Sequence, residues 1–287
     1  MKLKSLTKIY LITALASIVV FSGCLKDDAL IDFSKVGVLV ELPLAAYNPN
    51  ADGDKFVSLS YVSTSTNIDH PVVVNVASPK PLDAPLDVTL KVNEAALTAY
   101  NAKHASEYVI LPSNAYSIPN LKVTVPAGQR TATLTVKFNP SAITDFTKQY
   151  VIPITIADAS GQKISNYNTV YYVVGVKNQY DGKYHASGVF THPVRGPRDI
   201  DEDKDLATVN QFTVSSTIGD LGTPMTITIN AANNNVTVAG NVSDTQPIMP
   251  VPGLTNTYDP ATKTFHLNYQ YLGGGGYRVI KENLVRL

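Results

Sequence analysis

The feature that most constrains the fold is the alternation of apolar and polar residues in short runs from Val36 onward. In one such run Val88, Leu90 and Val92 are apolar, and the residues between them are polar. Because successive side chains of a strand point to opposite faces, a period of two is typical of a half-buried β-strand. Turn-forming residues such as Pro126-Ala127-Gly128-Gln129 separate the runs. The pattern therefore predicts an all-β protein.

The first series of runs predicts a domain over residues 36–177. It contains eight candidate strands, at 36–42, 56–63, 72–77, 86–92, 121–125, 131–138, 150–156 and 169–176. Eight short strands at this spacing favour two packed sheets, an Ig-like β-sandwich. One helical segment interrupts them, where Asn93 can cap a helix over residues 94–100 that we expect to cross between the two sheets.

A second series follows the turn-rich segment 177–182 and predicts another domain over residues 180–287. Its candidate strands are 184–190, 209–215, 225–230, 236–242, 264–271 and 277–284. Hairpin turns at 233–235 and 259–263 indicate an antiparallel meander. We expect it to close into a small, barrel-like domain or to fold as a half-open sandwich.

The N-terminus has the pattern of a secretory signal over residues 1–23. A short segment with three lysines precedes the uncharged run 9–21, which ends in Ser22-Gly23-Cys24. Cys24 is the single cysteine of the chain, and the small residues before it resemble the bacterial lipobox. The resemblance implies that the chain is cut before Cys24, acylated on that residue, and joined to its first domain by a lipidated tether over residues 24–35. Two or three acyl chains would give stable anchoring.

Three charged residues follow at the start of the tether, Lys26, Asp27 and Asp28. In this position they resemble the export signal of Bacteroidetes lipoproteins. The resemblance implies a lipid-anchored protein of the outer membrane that faces the cell exterior. A solvated, charged tether is the alternative explanation.

Two sets of motifs resemble known families. The first is Tyr100-Asn101, Leu111-Pro112, Tyr116, Val125-Pro126-Ala127-Gly128, Tyr150-Val151-Ile152-Pro153-Ile154 and Tyr180-Asp181-Gly182. It resembles the Ig-like domain of unknown function 1735. The second is Tyr258-Asp259-Pro260, the segment 265–271 and Tyr277-Arg278-Val279-Ile280. It is similar to the lipocalin-like domain of unknown function 4361. The resemblance implies a Bacteroidetes surface lipoprotein that handles glycans, often beside other polysaccharide-utilisation proteins; the first domain also occurs fused to glycoside hydrolases.

The sequence contains no recognised catalytic or metal-binding motif. The acidic residues between Asp199 and Asp205 follow Gly196-Pro197 in a polar stretch that we interpret as a solvated loop, where nothing apolar would raise a carboxyl pKa for acid catalysis. The five histidines lack zinc-ligand spacing, and no Gly-x-Ser-x-Gly elbow is present. The formal net charge of +0 does not suggest nucleic-acid binding. We therefore expect no catalytic residues, no metal and no cofactor.

The candidate ligand-binding residues are Tyr271, Tyr277 and Arg278, which flank the glycine run 273–276. Small barrels bind ligands at their open mouths, and four residues without side chains would let a ligand approach the backbone. The alternative is that the tyrosines belong to the core and the glycines only turn the chain.

Three functions remain open at this point. The first is a non-catalytic surface lipoprotein that binds or handles glycans. The second is a structural or adhesive surface module that binds protein, and the third is a glycan hydrolase with an unrecognised site. Exposed tyrosine clusters would favour the first, a long unprotected sheet edge the second, and convergent carboxylates of shifted pKa the third.

Overall fold

A computed structural model describes residues 37–287. The elements in the first half are β1 Leu39–Glu41, α1 Pro43–Ala46, β2 Lys55–Val62, β3 Ile68–Ala77, β4 Leu86–Val92, α2 Glu94–His104, β5 Val109–Ile110, β6 Tyr116–Ser117, β7 Lys122–Val125, β8 Thr131–Phe138, β9 Tyr150–Asp158, β10 Lys163–Ile164 and β11 Thr169–Lys177. Short 3₁₀ helices lie at Ser113–Ala115 and Pro140–Ala142.

These strands form two sheets that enclose one apolar core. One sheet has the order β10-β1-β3-β8-β6, and the other has the order β2-β11-β9-β4-β7 with β5 beside β9. Alternate residues of each strand face inward, so that Val72, Val74 and Val76 of β3 and Leu134 and Val136 of β8 are buried between the sheets. The prediction of a β-sandwich from alternation is confirmed.

Helix α2 forms where the sequence predicts it, but it does not cross between the sheets. The Asn93 side chain accepts a hydrogen bond from the backbone N–H of Ala96 and caps the helix. The strands on either side of α2, β4 and β5, both belong to the second sheet. Leu97 packs on Val151 and Tyr171, which form a small cluster separate from the main core. The expectation of a crossover was wrong, because the apolar positions of α2 match the outer face of one sheet.

The second half contains β12 Gly182–His192, β13 Gly196–Asn210, β14 Thr213–Thr217, β15 Pro224–Ile229, β16 Asn235–Gly240, β17 Met249–Pro250, β18 Asn256–Asp259, β19 Thr264–Gly273 and β20 Gly276–Arg286. Eight of them follow one another in the order β19-β18-β16-β15-β14-β13-β12-β20, and β20 pairs again with β19. The meander therefore closes into an eight-stranded antiparallel barrel, and the alternative of a half-open sandwich is ruled out.

Two details of the barrel differ from the sequence-based expectation. The acidic stretch from Asp199 to Asp205 is part of β13, a strand of 15 residues, and not a loop. The expected strand 209–215 is divided between the end of β13, a turn at residues 211–212 and the first three residues of β14. The alternation of apolar and polar residues does not reveal β13, because acidic side chains occupy five of its 15 positions and one of its buried positions, 204, is a lysine.

The segment between the two halves is tied to the bottom of the barrel. Asn178 is 1% exposed, and its Nδ2 donates to the carbonyl oxygens of Asn210 (2.7 Å) and Thr213 (2.9 Å). Arg286 donates to the carbonyl oxygens of Gln179 (2.6 Å) and Asp181 (2.7 Å). The turn-rich segment 177–182 is thus held to the barrel by hydrogen bonds from its Asn178 side chain and to its backbone carbonyl oxygens.

Candidate functional site

The candidate site is a cavity of about 350 Å³ at the barrel end opposite this linker. Hairpins β12–β13 and β19–β20 and the loops 218–223 and 241–248 surround it. The rings of Phe190 and Tyr271, which are buried, form part of its lining. Its polar lining consists of His192, Arg195, Arg198, Gln246, Tyr271 and Arg278. We call this cavity the barrel mouth.

Pairing of β19 with β20 brings two of the sequence-predicted residues together. Tyr271 lies directly opposite Arg278, and both side chains face the interior of the barrel. The Arg278 guanidinium lies 5.5 Å from the centre of the Tyr271 ring, a cation–π contact that stabilises the positive charge of the arginine. Tyr271 is almost fully buried, and desolvation raises the pKa of its hydroxyl.

The third predicted residue, Tyr277, is on the other face of the same strand. It pairs with Leu272 on the outer wall of the barrel, where both side chains are about half exposed. Because side chains alternate along β20, Tyr277 and Arg278 cannot serve one cavity. The structure therefore joins Tyr271 with Arg278 and leaves Tyr277 outside the barrel mouth.

The glycine run has a different role from the predicted close approach of a ligand. A Cβ on Gly273 would overlap the guanidinium of Arg278, so this glycine makes room for the arginine. Gly275 and Gly276 have φ values of +87° and +128°, which other residues rarely adopt, and turn the chain. Of the four glycines in this run, Gly274 is the one that lines the barrel mouth.

Arg198 is held in place by an ion pair and an aromatic ring. Its Nε and Nη2 donate to the two carboxylate oxygens of Asp220, both at 2.6 Å. Its guanidinium also lies 3.7 Å from the centre of the Phe190 ring. The bidentate bond to Arg198 holds the pKa of Asp220 below its usual value. The carboxylate of Asp220 thus compensates the charge of Arg198 on the rim.

His192 shapes the turn that presents Arg195. Its Nδ1 accepts hydrogen bonds from the backbone N–H groups of Val194 (3.1 Å) and Arg195 (3.2 Å). Desolvation, together with the charges of Arg278, Arg195 and Arg198, lowers the pKa of His192. The ring is therefore neutral near pH 7, and the nitrogen that carries its proton is Nε2.

A buried polar network lies beneath the barrel mouth. Glu282 accepts hydrogen bonds from Lys204 (2.7 Å) and from the hydroxyl of Tyr269 (2.7 Å), and that hydroxyl accepts one from the backbone N–H of Gly219 (2.7 Å). The side chains of Lys204 and Glu282 are 3% and 0% exposed. The network ties the loop 218–223 to β13, β19 and β20, and the same loop carries Asp220.

Sequence reasoning missed His192, Arg195, Arg198 and Gln246. The three basic residues lie within seven positions around Gly196-Pro197, a turn pattern that predicts a hairpin. What could not be read from the sequence is that β12 pairs with β20 and so brings this hairpin beside Arg278. Cys24, Lys26, Asp27 and Asp28 lie outside the described residues.

A second cavity, of about 340 Å³, lies at the linker end of the barrel beside Tyr180, Tyr258 and Arg286, but the guanidinium of Arg286 already donates to the carbonyl oxygens of Gln179 and Asp181. Asp201 and Asp203 contact His185 (3.2 and 3.0 Å) on the outer wall of the barrel. Within residues 37–287 no group of three or more His, Cys, Asp or Glu side chains is arranged to hold a metal ion. In the same range no helix has the length and hydrophobicity that crossing a bilayer requires.

Family models match both halves of the chain. A model of an N-terminal domain matches residues 40–163, and a model of a C-terminal region matches residues 168–285. The second match begins at the start of β11, so it includes a strand that belongs to the sandwich. No curated protein matches the sequence.

Two solved structures from Bacteroides ovatus align with most of the chain. A protein of unknown function is 14% identical, with a TM-score of 0.56, and the alignment covers 87% of this chain and 94% of that chain. A multidomain protein that includes domain of unknown function 1735 is 16% identical, with a TM-score of 0.46 over 86% and 94% of the two chains. The chain thus consists of a region similar to an N-terminal domain family followed by one similar to a C-terminal domain family, and shares its fold with a Bacteroides ovatus protein of unknown function.

Proposed function

We propose that this protein is a non-catalytic lipoprotein of the cell surface that binds or handles glycans, and that the barrel mouth is its binding site. The observation that carries the proposal is the combination of an open cavity of about 350 Å³, lined in part by aromatic rings, with a rim of fixed hydrogen-bond donors. Ligand cavities in proteins commonly have volumes of about 300–1,000 Å³ and a few convergent polar groups. Sugars match this combination, since their hydroxyls bond to the polar groups of the rim and their C–H faces contact the apolar side chains of Leu221 and Val242 in the lining.

The groups that line the mouth favour binding without hydrolysis. Glycoside hydrolysis normally uses two carboxyl groups on either side of the scissile bond. The lining residues of the mouth include three arginines, His192 and Gln246 but no Asp or Glu, and both carboxylate oxygens of Asp220 on the adjoining loop are bonded to Arg198. This arrangement supports the role of a binding module over that of a hydrolase.

A glycan array followed by calorimetry tests the proposal. Arg278→Ala should weaken binding of a glycan found on the array by about 1–3 kcal/mol, because it removes a charged hydrogen-bond donor. Tyr277→Ala, the neighbouring side chain on the outer wall, is the matched control and should leave the affinity unchanged. Loss of affinity in the control but not in Arg278→Ala would place the site on the outer wall.

The proposal includes anchoring through Cys24 to the outer membrane, with Lys26, Asp27 and Asp28 directing the protein to the cell exterior. Cys24→Ala should abolish acylation and move the protein from the detergent phase to the aqueous phase. Protease added to intact cells should digest the wild-type protein but not a variant with alanine at the three charged positions. Full resistance of the wild type in intact cells would contradict surface exposure.

Other polysaccharide-utilisation proteins of the same surface are the proposed partners.

A protein-binding module is the second candidate function, and one observation favours it. Among residues 37–287, β2 is an edge strand of eight residues, whereas the eight barrel strands close on one another through the pairing of β20 with β19. Edge strands are templates for pairing with another chain. The test is a pull-down of other surface proteins with the wild type and with Ser60→Pro, a substitution at an outward-facing position of β2. A surface protein that binds the wild type but not the variant would support this candidate.

A further inference from the structure

The charges at the barrel mouth are not balanced. Arg195, Arg198 and Arg278 all line the cavity, and Asp220 pairs with Arg198. Within residues 37–287, neither Arg195 nor Arg278 takes part in an ion pair. Two positive charges therefore face the cavity without a compensating carboxylate.

The guanidinium of Arg278 is preorganised by contacts within the protein. It lies over the backbone of Gly273, where any larger residue would displace it, and beside the face of Tyr271. Arg195 extends from a turn that two hydrogen bonds to His192 hold in shape. Preorganised donors lose little freedom on binding, which increases the affinity they can give.

The polar groups of the mouth are mainly hydrogen-bond donors. A guanidinium has five N–H donors and no acceptor, and the Nε2 of neutral His192 is a donor when Nδ1 accepts. The amide oxygen of Gln246 already accepts a hydrogen bond from Ser243 (3.0 Å). A neutral sugar hydroxyl both donates and accepts, whereas a carboxylate or a sulfate ester only accepts. The donors of the barrel mouth therefore match a carboxylate or a sulfate ester better than a neutral hydroxyl.

We propose that the barrel mouth selects anionic saccharides, and that the carboxylate or sulfate of one sugar lies between Arg195 and Arg278. This inference rests on the proposed glycan-binding function and specifies its ligand class. Gln246 is tied to the glycine-containing hairpin by a bond from its Nε2 to the carbonyl oxygen of Leu272 (3.1 Å), which keeps that side of the rim closed around the anion. Val242 and Leu221 line the cavity and give the sugar ring an apolar contact.

Calorimetry of the whole protein with matched saccharides tests the inference. The probes are trigalacturonate and its carboxyl-reduced neutral form, and a sulfated galactan fragment and its desulfated form. Each anionic probe that fits should bind about tenfold or more tightly than its neutral form, because hydrogen bonds to charged groups are the stronger ones. The preference should shrink as the salt concentration rises. Comparison of the two pairs decides whether the anion is a carboxylate or a sulfate.

Variants locate the anion. Arg195→Gln and Arg278→Gln should each weaken binding of the anionic probe about tenfold and remove most of the preference over its neutral form. Lys281→Gln is the matched control, because it removes one positive charge from the same strand on the outer wall and should leave both affinities unchanged. Circular dichroism confirms that each variant is folded, and Arg278→Lys, which keeps the charge without the planar fork, should retain part of the preference.

The other outcomes separate this inference from the function on which it rests. If neutral and anionic probes bind equally and the Arg278→Gln affinity falls for both, the mouth binds glycans and the selectivity is refuted. If an anionic probe binds with an affinity that neither arginine variant changes, its site lies elsewhere and the inference fails while glycan binding stands. If inorganic sulfate binds at the mouth and no saccharide binds, both proposals fail.

Discussion

The interior of the sandwich and the interior of the barrel differ in the polar groups that they contain. The sandwich core consists of aliphatic and aromatic side chains contributed by both sheets. The barrel core has a similar apolar part, but it also encloses Lys204, Glu282 and the hydroxyl of Tyr269 in one hydrogen-bonded network. The described sandwich interior thus contains isolated polar groups but no buried ion pair, whereas the network in the barrel interior supports the loop that shapes the mouth.

Breaking the buried ion pair should have the largest effect. Glu282→Ala removes the 2.7 Å partner of the buried Lys204 and leaves it only the more exposed carboxylate of Glu202 at 3.8 Å, and we expect a loss of about 3–5 kcal/mol in the free energy of unfolding. Amide hydrogen exchange in β19 and β20, compared with β9 and β11, should show that the loss is confined to the barrel. The double variant Lys204→Met, Glu282→Leu is the control, since it removes both charges and should recover most of the stability. A single variant as stable as the wild type would show that the network is not needed.

A cavity in the sandwich should cost slightly less and act on the other half. Leu134 is 1% exposed between the sheets, and Leu134→Ala should destabilise the protein by about 2–5 kcal/mol, measured by chemical denaturation. Leu134→Met keeps the volume and should cost less than about 1.5 kcal/mol. Exchange protection should fall in β8 and β3 but not in the barrel. Equal loss of protection in both halves would show that the two cores unfold together.

Asn178 tests whether the linker belongs to the barrel. Asn178→Ala leaves the carbonyl oxygens of Asn210 and Thr213 without its donor, and we expect a loss of about 1–3 kcal/mol, seen as faster exchange around β13 and β14. Gln179→Ala is the matched control, because Gln179 is exposed and should change stability by less than about 0.5 kcal/mol. The expected barrel fragment 180–287 lacks Asn178, so a fragment that begins at 178 should be the more stable of the two. The reverse order would contradict the role of Asn178.

The smallest effect is a pH dependence that belongs to the sandwich. His70 packs against Phe138 and Tyr172, and its Nε2 is buried without a hydrogen-bond partner among the described residues. Desolvation lowers the pKa of His70 below its usual value of 6.5. The unfolded chain therefore takes up the proton first, so His70 should reduce stability progressively as the pH falls below about 6.5.

The variant His70→Phe isolates this contribution, because it removes the titrating group and keeps a ring beside Phe138. Thermal unfolding between pH 7.5 and 5 should show a smaller decrease in Tm for the variant than for the wild type. Identical decreases would show that other groups cause the pH dependence.

Much of the fold was predictable because strands with one buried face alternate in polarity. Runs such as 86–92 and 131–138 agree with the observed strands β4 and β8 at both ends. Strand β13 was not predictable in the same way, since its outward positions are acidic and its buried position 204 is a lysine. A charged residue at an inward position interrupts the alternation of apolar and polar residues. The sequence around Lys204 does not reveal what compensates its charge, because Glu282 is 78 positions away.

The same limit applies to the candidate site. The sequence by itself determined that Tyr271 and Arg278 flank a hairpin, because the glycine run and the alternation on either side are local signals. It could not assign Tyr277 to the outer wall, or add Arg195 and Arg198 to the site, since these depend on strand register and on closure of β20 against β12 and β19. Local patterns record which residues alternate and where the chain turns. Only the closed barrel decides which side chains share a cavity, because pairing of distant strands sets the distances between them.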